Sequence, residues 1–304
     1  MKETYVICGA SGNTGSYIAK KLIEKNQKVR LIGRSKEKLK KLIDKGAEAF
    51  IGDLKNPAFT LSAFEGATTA YILIPPNNLA LDLRKHQNDI INPIVEAIKK
   101  TSVKNVVALS SIGAQLPVNT GFVLGLHDLE EKLKNIDDLN LLILRCGYIM
   151  ENTRTQINLI ENRGFVGSII LPDTKLPCVA LKDIADLAFK RLSALDFTKY
   201  EIMEALGPKD ITFNDMTKTL AKTLNINDLK FKHLSIEEEK EILNNYGLSN
   251  NVAESMIEFE EAINSGQLFA GVNRNPENTT YTTFEEFAEQ MVKPFKETHA
   301  HYQH

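Results

Sequence analysis

Through the first half of the chain, short runs of β-branched and other apolar residues alternate with longer stretches in which apolar positions recur every three or four residues. The short runs suit strands, and the three-to-four spacing puts one apolar stripe along a helix. Strands are therefore predicted at about 4 to 8, 28 to 33, 48 to 51, 69 to 74, 104 to 110 and 140 to 145, with helices over about 14 to 26, 35 to 45, 79 to 101 and 125 to 137. The run 71 to 74 is apolar at every position rather than at every other one, as a central strand covered on both faces should be. Strict alternation of the two periods predicts an α/β fold, a Rossmann-type doubly wound parallel sheet.

After about residue 150 the alternation fades into longer helical patterns, at about 182 to 194, 213 to 224, 235 to 247, 250 to 265 and 283 to 294. The expected division is a dinucleotide-binding domain over residues 1–150, to which 177–200 returns, and a smaller, mainly helical substrate lobe over 151–176 and 201–304. Thr282 or Thr283, followed by Glu285, has the composition of a helix start.

With 304 residues, 43% of them apolar, the chain can bury a full core. A formal charge of −2 lacks the basic excess of a nucleic-acid binder, so DNA or RNA is not expected as a partner. No apolar run approaches the roughly 18 residues of a membrane span, and Met1, Lys2 and Glu3 lead straight into a strand without a signal peptide's apolar stretch. A soluble, cytoplasmic protein is expected. Cys8, Cys146 and Cys178 stand in apolar surroundings without metal-binding or redox spacing and read as buried free thiols. The terminal HAHYQH has no carboxylate or cysteine near His299, His301 and His304, so no metal site is expected.

The stretch VICGASGNTGSYIAKKL, residues 6 to 22, joins the first strand to the first helix through Gly9, Gly12 and Gly15. Such a turn aims unpaired N–H groups and the positive end of a helix dipole at one spot, which suits an anion. Gly9 permits the sharp turn, Gly12 lets a pyrophosphate approach, and Gly15 lets the helix lie close to the strand. Ser11, Asn13 and Thr14 can add side-chain donors. The spacing is G-x-x-G-x-x-G rather than G-x-G-x-x-G, but its place after a strand and before a helix points to a dinucleotide.

Where an NAD site usually ends its second strand in an acid, this chain has Gly33, Arg34 and Ser35. Arg34 can stack on adenine and pair with a 2′-phosphate, helped by Ser35 and Lys38, which favours NADP(H); the alternative is an arginine facing solvent. Asp53 follows the third strand, placed either to accept from the adenine amino group, with Leu54 against the ring, or to cap the next helix. Ile74, Pro75 and Pro76 are expected to wall the cleft.

Gly9-Ala10-Ser11-Gly12-Asn13-Thr14-Gly15, Arg34, Gly52-Asp53-Leu54, Ser110-Ser111-Ile112-Gly113-Ala114, Arg145-Cys146-Gly147-Tyr148-Ile149-Met150-Glu151-Asn152, Lys182-Asp183-Ile184-Ala185-Asp186-Leu187-Ala188 and Gly207-Pro208 occur in an order that resembles the NmrA-like branch of the atypical short-chain dehydrogenase/reductases. The resemblance covers nearly the whole chain. It implies a Rossmann domain with a small substrate lobe, and a function as a quinone- or enone-type reductase or as an NADP(H)-sensing regulator that acts through a protein partner. It also implies that Ser110, Ser111, Gly147 and Tyr148 border the cofactor.

The wider superfamily relies on Tyr-x-x-x-Lys, in which the lysine lowers the phenol's pKa for proton exchange. The only such spacing here is Tyr17 to Lys21, on the first helix beside the phosphate turn, where it is a coincidence. His127 falls where isoflavone-reductase-like relatives carry a lysine and where quinone-reducing NmrA-like members carry a histidine with a glutamate four residues on, here Glu131. At that spacing the two share a helix face, and His127 can donate to the nicotinamide ribose or carboxamide or protonate substrate; alternatively it is an exposed position on a helix whose core face is Leu126, Leu129 and Leu133. Cys146, where relatives often have proline, is not expected to be a nucleophile. Met150, Phe165 and Phe122 can line an apolar pocket or serve as core. The expected activity is NADP(H)-dependent hydride transfer to a small planar acceptor by a monomer or homodimer, with a non-catalytic redox sensor as the rival.

Overall fold

The computed structural model describes residues 3–300, with side chains as far as Lys293. The tail's His301 and His304, and the side chain of His299, lie outside that description. The chain runs β1 (Thr4–Ile7), α1 (Asn13–Glu24), β2 (Lys28–Gly33), α2 (Lys36–Ile43), β3 (Glu48–Ile51), α3 (Pro57–Phe64), β4 (Thr69–Ile72), α4 (Leu83–Lys100), β5 (Asn105–Ser111), α5 (Leu124–Lys134) and β6 (Asn140–Cys146). It continues through β7 (Tyr148–Ile149), α6 (Arg154–Arg163), β8 (Phe165–Ser168), β9 (Cys178–Val179), α7 (Leu181–Ala194), β10 (Tyr200–Ala205), α8 (Phe213–Leu224), β11 (Lys230–His233), α9 (Ile236–Asn245), α10 (Asn250–Asn264) and α11 (Phe284–Ala300).

The main sheet has the order β10-β6-β5-β4-β1-β2-β3, with every pairing parallel. α1 packs against α7 on one face, and α3, α4 and α5 pack in sequence on the other. Both faces are apolar: Ile7, Leu31, Tyr71 and Leu144 belong to one core layer, and Val6, Ile72, Ala108 and Ile143 to the other. Strand order reverses between β1 and β4, so the crevice at the carboxyl ends of those strands is the place where such sheets receive ligands.

Several elements differ from the sequence reading for local reasons. α4 begins at Leu83 rather than near 79, because Asp82 accepts from the Lys85 amide at 2.9 Å and caps the helix there. α3 lacks a one-sided apolar stripe and is set instead by Asn56, which accepts from the Ala58 and Phe59 amides, and by Pro57 in the first turn. The return to the sheet extends through β10, which supplies a seventh strand. Two short parallel pairs lie outside the main sheet, β8 with β11 and β7 with β9.

Two sets of bonds tie the C-terminal helices to the earlier part of the chain. Asp183, buried at the start of α7, accepts from the Thr282 amide at 2.9 Å and hydroxyl at 2.8 Å, while Thr283 and Glu286 cap α11 reciprocally. The loop after β4 is held to α10: the Ser249 amide donates to the Asn78 carbonyl at 2.8 Å, and the Leu83 amide donates to Asn251 at 2.8 Å.

Candidate functional site

The glycine turn is built as its spacing requires. Gly9 has φ +66°, in the left-handed region, and a Cβ there would also fall 2.8 Å from Leu73 Cδ2. At Gly15 a Cβ would lie 2.4 Å from the Gly9 carbonyl oxygen, so only glycine lets α1 approach the turn. At Gly12 a Cβ would meet only that same oxygen, at 3.3 Å, with open space elsewhere within 4 Å. α1 starts on Gly12 with no side-chain cap, whereas Ser35, Asn56 and Asp82 cap α2, α3 and α4. First-turn N–H groups of α1 are thus left for an external acceptor, and a phosphate fits that need. Thr14 departs from expectation: it is 3% exposed and its hydroxyl accepts from the buried Tyr71 phenol at 3.1 Å, so its side chain faces the sheet.

Beside the turn opens a cavity of about 860 Å³ whose lining includes Ser11, Asn13, Lys38, Lys41, Arg154 and Lys182. Tyr17 lines it too, donating to Asp186 at 3.1 Å; burial first and then Asp186 push its phenol up to about 12, the reverse of an activated tyrosine. Arg34 is exposed at the end of β2, and Ser35 caps α2 by accepting from the Lys38 amide at 3.4 Å. Asp53 is exposed and closes a turn by accepting from the Lys55 amide at 2.9 Å; the cap of α3 is Asn56 rather than Asp53. Leu54, expected against an adenine ring, is buried in the core with Ile32 and Phe64. His86, on the first turn of α4, joins this end of the crevice. Its Nδ1 lies 3.2 Å from Asn77 Nδ2, and burial, then Lys55, hold the imidazole below the ordinary histidine value. Only its position in a fold brings it near Arg34 and Asp53, so spacing gives no signal for it.

At the carboxyl ends of β4 to β6, Ile74 and Pro75 are half-buried and Pro76 is exposed. The Ser110 hydroxyl is turned away from the crevice and donates to Glu130 Oε1 at 2.5 Å. Ser111 donates to the Ile112 carbonyl at 2.9 Å. Gly147 is required by a chain crossing, since a Cβ would fall 2.0 Å from the Pro177 carbonyl oxygen, to which the Tyr148 amide donates. Cys146 is buried, its thiol pushed up to about 12 by burial, and donates to the Ser110 carbonyl at 3.1 Å; it is inert as a nucleophile.

His127 is half-buried in the first turn of α5, with Nδ1 2.8 Å from the Ala114 carbonyl oxygen. Nδ1 therefore carries the hydrogen, and Nε2 of the neutral ring is an acceptor that donates only when the ring is charged. Glu131 does not partner it: its side chain is 51% exposed, 3.7 Å from Lys134. The acid that enters the fold is Glu130, buried and paired with Arg145, which helical spacing alone did not single out.

α10 packs on the segment that leads into α5. The Phe122 and Phe259 rings lie 4.6 Å apart, and Gly121 (φ +56°) touches the α10 backbone so closely that a Cβ would reach 1.8 Å from the Ser255 carbonyl oxygen. Met150 is fully buried in a core cluster with Phe213 and Met216, and Phe165 lies apart from both, under Lys232 in a separate cluster with Leu159 and Leu234.

Residues 9–193 match a family model described as NAD(P)H-binding. No curated protein matches the chain in sequence. Among solved structures, the chain resembles triphenylmethane reductase of Citrobacter sp. complexed with NADP(H), at TM-score 0.80 and 19% identity over 95% of this chain and 100% of that one. It likewise resembles an NADPH-dependent quinone oxidoreductase of Escherichia coli complexed with NADPH, at TM-score 0.80 and 18% identity over 95% and 99%. A nucleoside-diphosphate-sugar epimerase of Staphylococcus aureus superposes at TM-score 0.79 and 16% identity over 95% and 100%. At these identities the likeness is one of fold. No helix among the described residues is long and apolar enough to cross a membrane.

Proposed function

This chain belongs to the NAD(P)H-binding family, its motifs and fold fit the NmrA-like atypical short-chain dehydrogenase/reductases, and from that premise we propose an NADP(H)-dependent oxidoreductase acting on a small planar acceptor such as a quinone or enone. The observation that carries the reading is the uncapped start of α1 on Gly12, beside an end of β2 that offers Arg34 and no acid. The amides of Asn13, Thr14 and Gly15 receive the pyrophosphate, that of Gly12 being held by the Gly9 carbonyl at 2.9 Å, with Ser11 and Asn13 side chains in support. Arg34 and Lys38 take the 2′-phosphate, and Ser35 holds the start of α2 beside them. Asp53 keeps one carboxylate oxygen for the adenine amino group, while Ile74, Pro75, Ser111, Gly147 and Tyr148 border the nicotinamide end. His127 accepts at Nε2 from the ribose or carboxamide and so acts by positioning. A reduced nicotinamide in that place supplies a hydride.

Two of the similar structures are named as reductases that bind NADP(H) or NADPH, which supports the class of reaction. Quinones ask little of an acid catalyst, so a chain whose one Tyr-x-x-x-Lys spacing, Tyr17 to Lys21, lies on the first helix accords with them. The same placement favours the rival reading, a sensor that binds NADP(H) and signals to a protein partner. NADPH oxidation measured against a panel of quinones and enones separates the two. Turnover above the protein-free background supports the enzyme; none, together with different affinities for NADPH and NADP⁺ by calorimetry, supports the sensor.

A further inference from the structure

The cavity beside the glycine turn holds more positive charge than the dinucleotide reading uses. Asn13, Tyr17 and Lys20, three or four residues apart, line it from one face of α1, and Lys38, Lys41 and Lys45 line it from α2 and its end. From Asn13 to Lys20 is about 10 Å of helix at 1.5 Å per residue, leading away from the strand ends. Arg34, Ile74, Pro75, His127 and Tyr148 take no part in the lining. Arg154 on α6 and Lys182 on α7 complete the basic wall. Lys38, Lys41, Lys45, Arg154 and Lys182 are exposed and form no ion pair with any described side chain. Among the described residues Glu151 is the one acid in the lining, and it accepts from the Leu181 amide at 3.0 Å. Asp186, which Tyr17 reaches at 3.1 Å, is already paired with Lys190 at 3.0 Å. In a chain of formal charge −2, this is a local excess that no described acid matches.

We propose that this cavity is a second anion site, beside the dinucleotide's own, which takes a small molecule carrying two or more phosphate groups between Lys41, Lys45, Arg154 and Lys182. Like charges around one cavity repel, and an anion of several charges placed among them relieves the repulsion. A carboxylate brings one charge and a phosphate up to about two, so clustered phosphates match the wall best. Lysine meets phosphate as a compact point charge, and the Arg154 guanidinium can offer two parallel N–H donors. A volume of about 860 Å³ is that of a small-ligand pocket rather than of a flat protein interface. The site stands next to the proposed cofactor site and does not depend on the oxidoreductase reading.

Calorimetric titration of the full chain with inorganic tripolyphosphate, alone and with saturating NADPH, tests the assignment; ATP in a parallel titration tells a bare phosphate chain from a nucleoside-borne one. One molecule of either probe should bind the NADPH-loaded protein. Lys41→Gln combined with Lys182→Gln should weaken that binding on the order of 10-fold or more and keep the NADPH affinity. Lys99→Gln combined with Lys100→Gln, in the last turn of α4, should change neither. All four lysines are exposed, so folding is spared. Equal losses in the two double variants would mean unspecific attraction by surface charge, and binding abolished by NADPH would mean that the cavity only extends the dinucleotide's seat. Either result overturns the inference, as does a protein that binds neither probe, and all three leave the proposed function standing. A chain that takes up tripolyphosphate through Lys41 and Lys182 but binds no NADPH overturns the proposed function alone.

Discussion

Arg145 on β6 and Glu130 on α5 form a two-point ion pair, Nε to Oε1 at 3.0 Å and Nη2 to Oε2 at 2.5 Å, with side chains 14% and 3% exposed. Ser110 donates to the same carboxylate, so the pair ties α5 to the ends of two central strands. His127 sits one turn earlier on that helix.

Removing one partner of a buried pair strands the other's charge. Glu130→Ala should therefore cost about 3–5 kcal/mol in urea unfolding, whereas Glu131→Ala, at an exposed position, should stay within about 0.5 kcal/mol. Equal, small effects of the two substitutions would show that the Arg145 pairing does not hold α5.

The glycines of the turn should separate by mechanism. Gly15→Ala drives a methyl into the Gly9 carbonyl oxygen, 2.4 Å away, and backbone cannot give as a flexible side chain would. A loss of about 1–3 kcal/mol in stability is expected, with cofactor binding lost as well. Gly12→Val places its branches in open space at the start of α1 and should leave circular dichroism near wild type while abolishing dinucleotide binding. A Gly12→Val protein that still quenches NADPH fluorescence normally would place the pyrophosphate elsewhere.

The turn and the sheet were legible because both rest on local spacing: glycines between a strand and a helix, and apolar runs too short for helices. Side-chain destinations were less so. Glu130 and Glu131 are neighbours on one helix, and only the approach of Arg145 from β6 decides which enters the core. Leu54 and Thr14 look like cleft residues in sequence, yet Phe64 and Tyr71, brought in by other strands and helices, claim them. The short lobe strands β8 and β11 hold each other through pairing between distant segments, which no local period announces.

Arg34 is exposed, so changing it should spare stability and move only affinity. Charge-assisted bonds to a phosphate contribute about 1.5–3 kcal/mol, and Arg34→Asp should weaken NADPH binding on the order of 10- to 100-fold while improving NADH binding. Fluorescence titration with both dinucleotides checks this. Unchanged NADPH affinity would remove Arg34 from the 2′-phosphate site.

His127 offers a way to separate holding a loop from holding a ligand. Its Nδ1–H satisfies the Ala114 carbonyl, and its Nε2 is left for the cleft. Asparagine can present an N–H near the position of Nδ1 but nothing at Nε2, so His127→Asn should keep stability within about 0.5 kcal/mol of wild type. His127→Ala leaves the carbonyl without its donor and should lose about 1 kcal/mol. If the ring positions the nicotinamide, both variants should raise the NADPH Kd and lower turnover by similar factors despite their different stabilities. Loss of turnover only in the less stable variant would mean that His127 serves the loop alone.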